Sequence, residues 1–339
     1  MTTVGALPKS RVLLTGGAGF IGNEVARQLV AGGALVTAVD NLANGKRANL
    51  ADVVGNACQL IEADIRDSAR MADLMKTADI VLHLACLGVR HSIHSPLESH
   101  EVNATATLQL LELARTAGIK RFVYVSSSEI YGTAQTVPMT EQHPAWPMTV
   151  YGAAKLAGER YTDAYWRTYR FPTTVIRPFN AFGPRSHHEG DSGEVIPKFM
   201  LRAMAGQPLL VHGDGRQTRD FTFVADTAGG IIKAAFAEAA VGETINLGSG
   251  SEISVTELAD LVQRVLPECR VRVEHGPDRP GDVRRLFADS TKAARLIGFR
   301  TTTTLEAGLA KLRDWYRQSG RKPEDLLAEE QAVNWVRAG

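Results

Sequence analysis

The 339-residue sequence predicts an α/β fold: a doubly wound parallel sheet with helices on both faces, followed by a smaller C-terminal α/β unit. Two observations support this. Strand and helix patterns alternate through the first half of the chain, which is the order of successive β-α-β units. A glycine-rich segment at residues 15–22, TGGAGFIG, directly follows an apolar run and is typical of a strand, a tight turn and the start of a helix.

The elements follow from short apolar runs and from helical spacing of apolar residues. Strands of the main sheet are predicted at residues 11–14, 35–39, 58–62, 80–84 and 121–126. Helices between them are predicted at residues 19–32, 69–76 and 102–117. Beyond these, we expect a helix at 150–169, a strand at 173–177, a helix at 195–205 and a short strand at 209–211.

This order divides the chain into three parts. Residues 1–9 are expected to form a loose N-terminal tail, and residues 10–180 a dinucleotide-binding domain of the Rossmann type. Residues 181–339 form the smaller substrate-binding domain, except that the segment at about 220–247 is expected to return to the first domain.

Composition narrows the functional classes. The net charge of +1 gives no reason to expect a nucleic-acid partner or a membrane surface as partner. Cys58, Cys86 and Cys269 are too widely spaced for a metal cluster or a disulfide framework, which fits a reducing cytoplasm. A membrane-spanning helix needs about 18 apolar residues in a row, and no apolar run in the sequence comes near this length. A soluble cytoplasmic protein is therefore expected.

The glycine-rich turn predicts a dinucleotide site. Gly17, Gly19 and Gly22 fit the spacing G-x-G-x-x-G, and Gly16 supplies a second pattern, G-x-x-G-x-x-G. Such glycines permit the tight turn, the approach of backbone to phosphate and the packing of helix on strand. Asp40 ends the second strand, 18 residues after Gly22. A carboxylate there can bind ribose hydroxyls and repels a 2′-phosphate, which favours NAD over NADP.

Tyr151 and Lys155 predict proton transfer beside that cofactor. Residues four apart share one face of a helix. An ammonium beside a phenol favours the phenolate, so we expect Lys155 to lower the pKa of Tyr151 toward neutrality. Such a tyrosine can take a proton from a sugar hydroxyl while hydride leaves the same carbon. The serines of SSSEIYG, residues 126–132, end a strand and can bond the reacting oxygen, although they could equally cap a turn.

Taken together, these motifs resemble those of the extended short-chain dehydrogenases/reductases that act as nucleotide-sugar epimerases and dehydratases. The resemblance covers roughly residues 10–318. It rests on the segments TGGAGFIG, HLA (83–85), VNATATL (102–108), SSSEIYG, YGAAK (151–155), RPFNAFGPR (177–185), GDGRQTRDF (213–221) and RPGDVRRLFAD (279–289), together with Asp40-Asn41 and Asp64-Ile65.

The resemblance implies a role for each matching residue. For the cofactor NAD, it implies binding by Gly16, Gly19, Phe20, Ile21, Asp40, Asn41, Asp64, Ile65, Ala85, Tyr151 and Lys155. For catalysis, it implies Tyr151 as base, Lys155 as its partner, Ser127 as the catalytic hydroxyl and Glu129 as a candidate acid or base. For the nucleotide sugar, it implies contacts from Ser127, Ser128, Asn180, Arg185, Arg219 and Arg279. The two last arginines would clamp the diphosphate, because guanidinium groups suit phosphate oxygens.

The reaction itself stays open between two classes. All members of the resembled family first form a 4-ketose. Many dehydratases carry Thr-Asp-Glu, and many decarboxylases Thr-Ser-Glu, where this chain has Ser127-Ser128-Glu129. The missing aspartate favours an NAD-dependent 4-epimerase acting on a UDP-hexose or a UDP-hexuronic acid, whereas Glu129 keeps a lyase, either decarboxylase or dehydratase, as the alternative.

Two further expectations concern the surroundings of the site. Arg185 could pair with a uronic carboxylate, bind phosphate or tie down its own loop. In the segment SHHEGDSGE (186–194), the pair His187-His188 with Glu189 and Asp191 is expected to cover the site or meet a subunit rather than bind a metal. The resemblance also implies a homodimer formed through the helix that carries Tyr151 and the helix before it, where Leu108, Leu111 and Leu113 offer apolar contacts.

Overall fold

The computed structural model describes residues 5–190, 192–333 and 335. Its strands, in chain order, are β1 (Arg11–Thr15), β2 (Leu35–Asp40), β3 (Cys58–Glu62), β4 (Ile80–His83), β5 (Arg121–Val125), β6 (Thr173–Pro178), β7 (Ala181–Phe182), β8 (Leu209–His212), β9 (Thr218–Arg219), β10 (Thr222–Phe223), β11 (Thr244–Leu247), β12 (Ile253–Ser254) and β13 (Val273–Gly276).

The helices connect these strands and cover the sheet. They are α1 (Phe20–Ala31), α2 (Ser68–Met75), α3 (Val89–His94), α4 (Pro96–His100), α5 (Ala106–Thr116), α6 (Val150–Tyr169), α7 (Val195–Met204), α8 (Val224–Phe236), α9 (Val255–Val265), α10 (Thr291–Ile297), α11 (Leu305–Gln318) and α12 (Pro323–Leu327).

The main sheet has seven parallel strands in the order β11-β6-β5-β4-β1-β2-β3. All five residues of β5 and four of the five residues of β1 are buried. Continuous burial of this kind is typical of parallel strands that are covered on both faces. The predicted α/β fold with a doubly wound parallel sheet is therefore confirmed, and its strand order reverses between β1 and β4, where ligands of such sheets bind.

Each face of the sheet has its own core. Val12 and Leu14 of β1 pack with residues of α1, α8 and α10 on one face. Leu13, which points the other way because side chains alternate along a strand, packs with α2 and α5. The segment expected to return to the first domain contributes α8, which packs on α1, and β11, which pairs with β6.

The smaller unit surrounds a separate core. α7, α9 and α11 pack with β8 through buried residues such as Phe199, Leu258 and Leu312. β8 pairs in parallel with β13, and β9 pairs antiparallel with β12. This unit stands at the carboxyl-terminal edge of the main sheet and supplies one wall of the site described below.

Two expectations about the periphery need correction. Residues 1–4 lie outside the described part of the chain, but Leu7 is not loose, because its N–H donates to the Gly32 carbonyl at 2.9 Å and its side chain packs on the core. Among the three leucines proposed for a subunit contact, Leu111 is wholly buried within its own chain, whereas Leu108 is 37% exposed. Across the described residues, we find no helix with the length and apolar character required to span a membrane.

Candidate active site

A cavity of about 450 Å³ opens at the carboxyl ends of the main-sheet strands, against the smaller unit. Of the residues predicted from sequence, it is lined by Gly16, Gly19, Phe20, Ile21, Asp40, Asn41, Asp64, Ile65, Ala85, Ser127, Ser128, Glu129, Tyr151, Lys155, Asn180, Arg219 and Arg279. The fold thus gathers side chains from distant parts of the sequence into one continuous site, while their individual roles stay predictions.

The glycine turn forms one end of the cavity as a closely packed cradle. Gly16 has a φ of +70°, and a Cβ there would lie 2.7 Å from the amide nitrogen of Ala85. A Cβ on Gly22 would overlap the Gly16 carbonyl oxygen. Larger residues at either position would push the backbone outward, so the two glycines keep the first turn of α1 open toward a ligand.

Asp40 is fixed at the end of β2 beside this cradle. Its Oδ2 accepts from the Ala18 N–H at 3.0 Å and its Oδ1 from the Leu42 N–H at 2.9 Å. Burial raises the pKa of the Asp40 carboxyl, and these backbone donors oppose the rise. A carboxylate held in this way can accept hydrogen bonds from ribose hydroxyls at a defined place.

The next two predicted cofactor residues, Asn41 and Asp64, are joined to each other. Asn41 Nδ2 donates to Asp64 Oδ2 at 3.1 Å, and Asp64 also forms an ion pair with Arg66 at 2.7 Å. The Arg66 guanidinium lowers the pKa of Asp64 to about 2. This wall of the cavity is therefore ordered by its own contacts before any ligand binds.

The proton-transfer group lies at the opposite end. Thr149 caps α6 by accepting from the Gly152 N–H at 3.2 Å, which places Tyr151 in the first turn of the helix. The Tyr151 hydroxyl lies close enough to the side chain of Ser127, which follows β5, for the serine to lower the pKa of the phenol. Tyr151 is only 8% exposed, so this pair is shielded from bulk water while it faces the cavity.

The structure does not show the predicted lowering of the Tyr151 pKa by Lys155. Burial raises the pKa of Tyr151 well above its usual range, and the nearby Ser127 side chain opposes the rise. Lys155 Nζ instead donates to the Val125 carbonyl at 2.7 Å and lies 4.8 Å from the centre of the Tyr124 ring. Desolvation of the phenolate therefore outweighs the stabilisation predicted from the spacing of the two residues.

Charged residues that the sequence did not single out also line the cavity. Arg90, from α3, lies within electrostatic range of Glu129 and of Glu194, the residue before α7. Burial raises the pKa of Glu194 to about 7. Both Glu129 and Glu194 act electrostatically on Tyr151, so the reacting end of the site holds two carboxyl groups rather than the one predicted.

The two arginines predicted to clamp a diphosphate lie together. Arg219 Nη2 donates to Asp282 Oδ1 at 2.6 Å, and Arg279 bonds the same oxygen. Asp282 therefore holds both guanidinium groups at the cavity wall. Near them, Asn180 Oδ1 is buried and has no hydrogen-bond partner among the described residues, which leaves it available for a ligand.

Arg185 is a correction to the predicted set. Its backbone has a φ of +68°, and its guanidinium lies 3.7 Å from Asp52, outside the cavity and close to Glu24 and Arg27 of α1. The turn in left-handed geometry directs this side chain away from the site. We therefore withdraw Arg185 as a substrate ligand.

The histidine-containing segment after β7 lies beside the cavity. His187 lines it, and His187 Nδ1 is 3.0 Å from Glu189 Oε1. Asp191, named with them from the sequence, lies outside the described residues. Within the described ranges, no group of three or more His, Cys, Asp or Glu side chains is arranged to hold a metal ion.

Sequence signals for the additional residues were weak. Arg90 and Cys86 come shortly after β4, and Glu194 comes just before a predicted helix. Because the carboxyl ends of parallel strands meet at one edge of the sheet, the positions just after each strand are candidates for site residues. Glu194 reaches the site from the smaller unit, whose placement the sequence did not specify.

Comparisons with known proteins agree with this arrangement. Residues 13–312 match the GDP-mannose 4,6 dehydratase family. The chain is 33% identical over 317 residues to a UDP-glucose 4-epimerase of Mycolicibacterium smegmatis, covering 92% of this chain and 100% of the relative. It is 34% identical over 328 residues to a UDP-N-acetyl-alpha-D-glucosaminuronate decarboxylase of Bacillus cytotoxicus, covering 91% and 98% of the two chains.

A solved structure shares the whole fold. The dTDP-glucose 4,6-dehydratase of Streptomyces venezuelae, determined with NAD bound, superposes with a TM-score of 0.85 at 32% identity, covering 91% of this chain and 97% of the other. The names of these relatives span epimerases, decarboxylases and dehydratases. The chain therefore belongs to the GDP-mannose 4,6-dehydratase family, the extended short-chain dehydrogenases/reductases that include nucleotide-sugar epimerases, dehydratases and decarboxylases.

Proposed function

We propose that the protein is an NAD-dependent nucleotide-sugar 4-epimerase that acts on a UDP-hexose or a UDP-hexuronic acid through a transient 4-keto sugar. The observation that carries this proposal is the pairing of Tyr151 and Ser127 at the reacting end of the cavity, next to Ser128 rather than an aspartate. Tyr151 and Ser127 suffice to move a proton at C4. Ser128 is too weak an acid to protonate a leaving hydroxyl at C6.

The residues present fit NAD. The cradle at Gly16 and Gly22 has no room for side chains, Asp40 is fixed where a ribose would lie, and the Ser126 hydroxyl is buried without a partner among the described residues. Asp40, Asn41, Asp64 and the glycine turn would hold the adenosine half, and Ala85, Tyr151 and Lys155 the nicotinamide half. When bound, NAD supplies reversible hydride transfer at the sugar carbon.

The chain's own residues then handle the proton and the diphosphate. Tyr151 accepts the proton of the C4 hydroxyl and later returns it, while Ser127 bonds the reacting oxygen. Arg219 and Arg279 bind the diphosphate and hold the nucleotide while the 4-keto sugar rotates to present its other face. The raised pKa of Tyr151 means that its phenolate forms only when positive charge is brought beside it, which the oxidised nicotinamide of a bound cofactor would provide.

The position of Arg185 bears on the sugar. Because Arg185 lies against Asp52, the cavity lacks the cation that was expected to pair with a uronic carboxylate. Arg90 also lines the cavity, within electrostatic range of Glu129 and Glu194, and its buried Nε has no hydrogen-bond partner among the described residues. The proposal therefore covers both a UDP-hexose and a UDP-hexuronic acid, with Arg90 rather than Arg185 as the cation that could meet a uronic carboxylate.

A nucleotide-sugar lyase is the second candidate. The observation that favours it is the pair of carboxyl groups, Glu129 and Glu194, that line the cavity near Tyr151. A 4-ketose flanked by two carboxyls could lose a C5 proton and a C6 hydroxyl, or CO2 from a uronic acid. The products distinguish the classes. Incubation with UDP-glucose, UDP-galactose, UDP-glucuronate and UDP-N-acetylglucosamine, followed by mass spectrometry, should give an isomer of unchanged mass; loss of water or of CO2 would assign a lyase.

Replacement of Glu129 by glutamine gives an independent test. If Tyr151 and Ser127 perform the proton transfer, Glu129→Gln should lower kcat by less than roughly fivefold, because the amide keeps the shape and removes an acid that epimerisation does not need. A lyase that uses Glu129 as acid or base would lose about 100-fold or more. Steady-state kinetics on the converted UDP sugar decide this, with Glu274→Gln, an exposed residue of β13 outside the cavity, as the control. A large loss confined to Glu129→Gln would overturn the epimerase assignment.

A further inference from the structure

His187 occupies a place in the site that the family motifs do not describe. It lies in the segment between β7 and α7 and lines the cavity between the Asp40 end and the Tyr151 end. Its charge acts on Asp40, which ends β2, and on Glu194, which precedes α7. The imidazole is therefore within electrostatic range of Asp40 at one end of the cavity and of Glu194, which itself acts on Tyr151, at the other.

A network of contacts holds the imidazole in this place. Glu189 Oε1 accepts from His187 Nδ1 at 3.0 Å and pairs with Lys46 Nζ at 2.9 Å. Glu189 Oε2 accepts from the His188 N–H at 2.9 Å. Glu189 is thus anchored on both oxygens, one of them to a lysine from the nucleotide-binding domain, and it fixes the ring through Nδ1.

Among the described residues, this anchoring engages one of the two ring nitrogens of His187. Within the described parts of the chain, the bond at Nδ1 is the hydrogen bond that the His187 ring makes. When a carboxylate accepts the Nδ1 proton, the protonated ring presents Nε2–H as a second donor. The groups that face His187 are Asp40, Lys46, Glu189 and Glu194, three carboxyls against one ammonium.

The surroundings favour an anionic ligand that bridges the cavity. The first turn of α1 contributes backbone N–H groups but no charged side chain, because it reads Phe20-Ile21-Gly22-Asn23. A dinucleotide lying from Asp40 to Tyr151 must place its ribose-diphosphate backbone between these ends. A protonated imidazole in the same cavity supplies a side-chain cation that the glycine cradle lacks.

We propose that His187 is a cofactor-binding residue whose Nε2–H donates to the ribose-diphosphate backbone of bound NAD, and that Glu189, anchored by Lys46, is the positioning residue that orients it. The inference rests on the proposed NAD site, but it does not depend on which sugar is used or on what happens to the 4-ketose.

The direct test is the rate at which NAD leaves the purified holoenzyme, followed by exchange with labelled NAD in the absence of sugar. His187→Ala should release NAD about tenfold faster, the loss expected for one charge-assisted hydrogen bond. His188→Ala is the matched control, because His188 is the neighbouring residue and also contacts Glu189, at 3.3 Å, but lies outside the cavity lining. Its release rate should stay within about twofold of the wild type.

The pH dependence provides a readout that a purely structural role would not produce. Burial lowers the pKa of His187, but the hydrogen bond and charge of Glu189 outweigh it, so the pKa lies above its ordinary value. The contribution of protonated His187 to NAD binding is therefore complete at pH values below the ordinary pKa of histidine. It is lost as pH rises through the raised pKa of His187. The difference in NAD release rate between the wild type and His187→Ala should therefore become smaller at high pH. Comparing the two proteins at each pH cancels the effect of the separate titration of Glu194. In Glu189→Gln, the pH at which the His187 contribution is lost should be lower, because Glu189 raises the pKa of His187.

Each outcome bears on one claim. Unchanged NAD release in His187→Ala, or equal acceleration in His187→Ala and His188→Ala, would overturn the role of His187 and leave the epimerase proposal intact. A wild-type protein that binds no NAD at all would instead overturn the proposed function.

Discussion

Replacing Tyr151 with phenylalanine is expected to abolish turnover while leaving NAD bound. The substitution removes the hydroxyl that lies beside Ser127 but keeps the ring, which is only 8% exposed in the first turn of α6. Loss of a positioned general acid–base typically lowers kcat by about 10²–10⁴, and here the same hydroxyl both accepts and returns the proton, so the upper part of that range is expected. Steady-state rates and the NAD content of the purified variant measure the two effects separately.

A second tyrosine on the same helix serves as the control. Tyr161 lies ten residues further along α6, outside the cavity lining, and packs against the core beneath the sheet. Tyr161→Phe should therefore keep near-wild-type kcat. Activity near normal in Tyr151→Phe would refute the assigned base, whereas loss of NAD from that variant would show that the phenol serves binding rather than proton transfer.

The second large effect concerns the stability of the element that carries the proton-transfer residues. Glu159 of α6 and Arg177 of β6 form a buried ion pair at 2.7 Å, with side chains only 2% and 4% exposed. Arg177 also donates to the Tyr131 hydroxyl at 2.7 Å, which in turn donates to Asn246 Oδ1. Glu159→Gln keeps the volume but leaves the guanidinium uncompensated in the interior, so the free energy of unfolding should fall by about 3–5 kcal/mol.

An exposed pair on the same helix provides the comparison. Asp163 and Arg167 lie four residues apart at 2.9 Å, and the arginine side chain is 75% exposed. Asp163→Asn should lower the free energy of unfolding by no more than about 0.5 kcal/mol, because solvent screens such pairs. Denaturant unfolding of both variants measures the contrast. Equal, small losses would mean that the buried Arg177 finds another partner and that this pair does not fix α6 to the sheet.

Much of the nucleotide-binding half could be predicted from the sequence, because its information is local. Each of the strands β1 to β6 contains a short apolar run, and α6 spans the range that its helical pattern indicates. The glycine turn and Asp40 are separated by a single helix and strand, so their proximity follows from the β-α-β unit itself. Tyr151 and Lys155 share a helix face for the same local reason.

The smaller unit could not be predicted in the same way. Its strands are two to four residues long, and β8 pairs with β13 although two helices, α8 and α9, and four strands lie between them in the chain. Such pairings depend on tertiary packing rather than on local pattern. One usable signal was present: Ser254 and Glu257 form a capping box at the start of α9, a spacing visible in the sequence.

The errors within the site have the same origin. Arg185 was placed in the cavity because it ends a motif, but one residue in left-handed geometry turns its side chain toward α1. Lys155 was expected to act on Tyr151 because of their spacing, but the buried ammonium is satisfied by the Val125 carbonyl at the end of β5. Spacing along a helix gives the shared face, whereas the partner of a buried charge depends on which acceptor the tertiary structure brings within reach.

The measurement that tests the central claim most directly follows the C4 hydrogen. Each of the four UDP sugars, carrying deuterium at C4, is incubated with the purified holoenzyme, and the products are identified by mass spectrometry and NMR. If Tyr151 and bound NAD remove the two hydrogens of one carbinol and return them to it, the converted sugar will be the C4 epimer, with unchanged mass and with deuterium still at C4. A product that has lost water or CO2, or an epimer whose C4 deuterium has been exchanged for solvent hydrogen, would contradict the proposed mechanism.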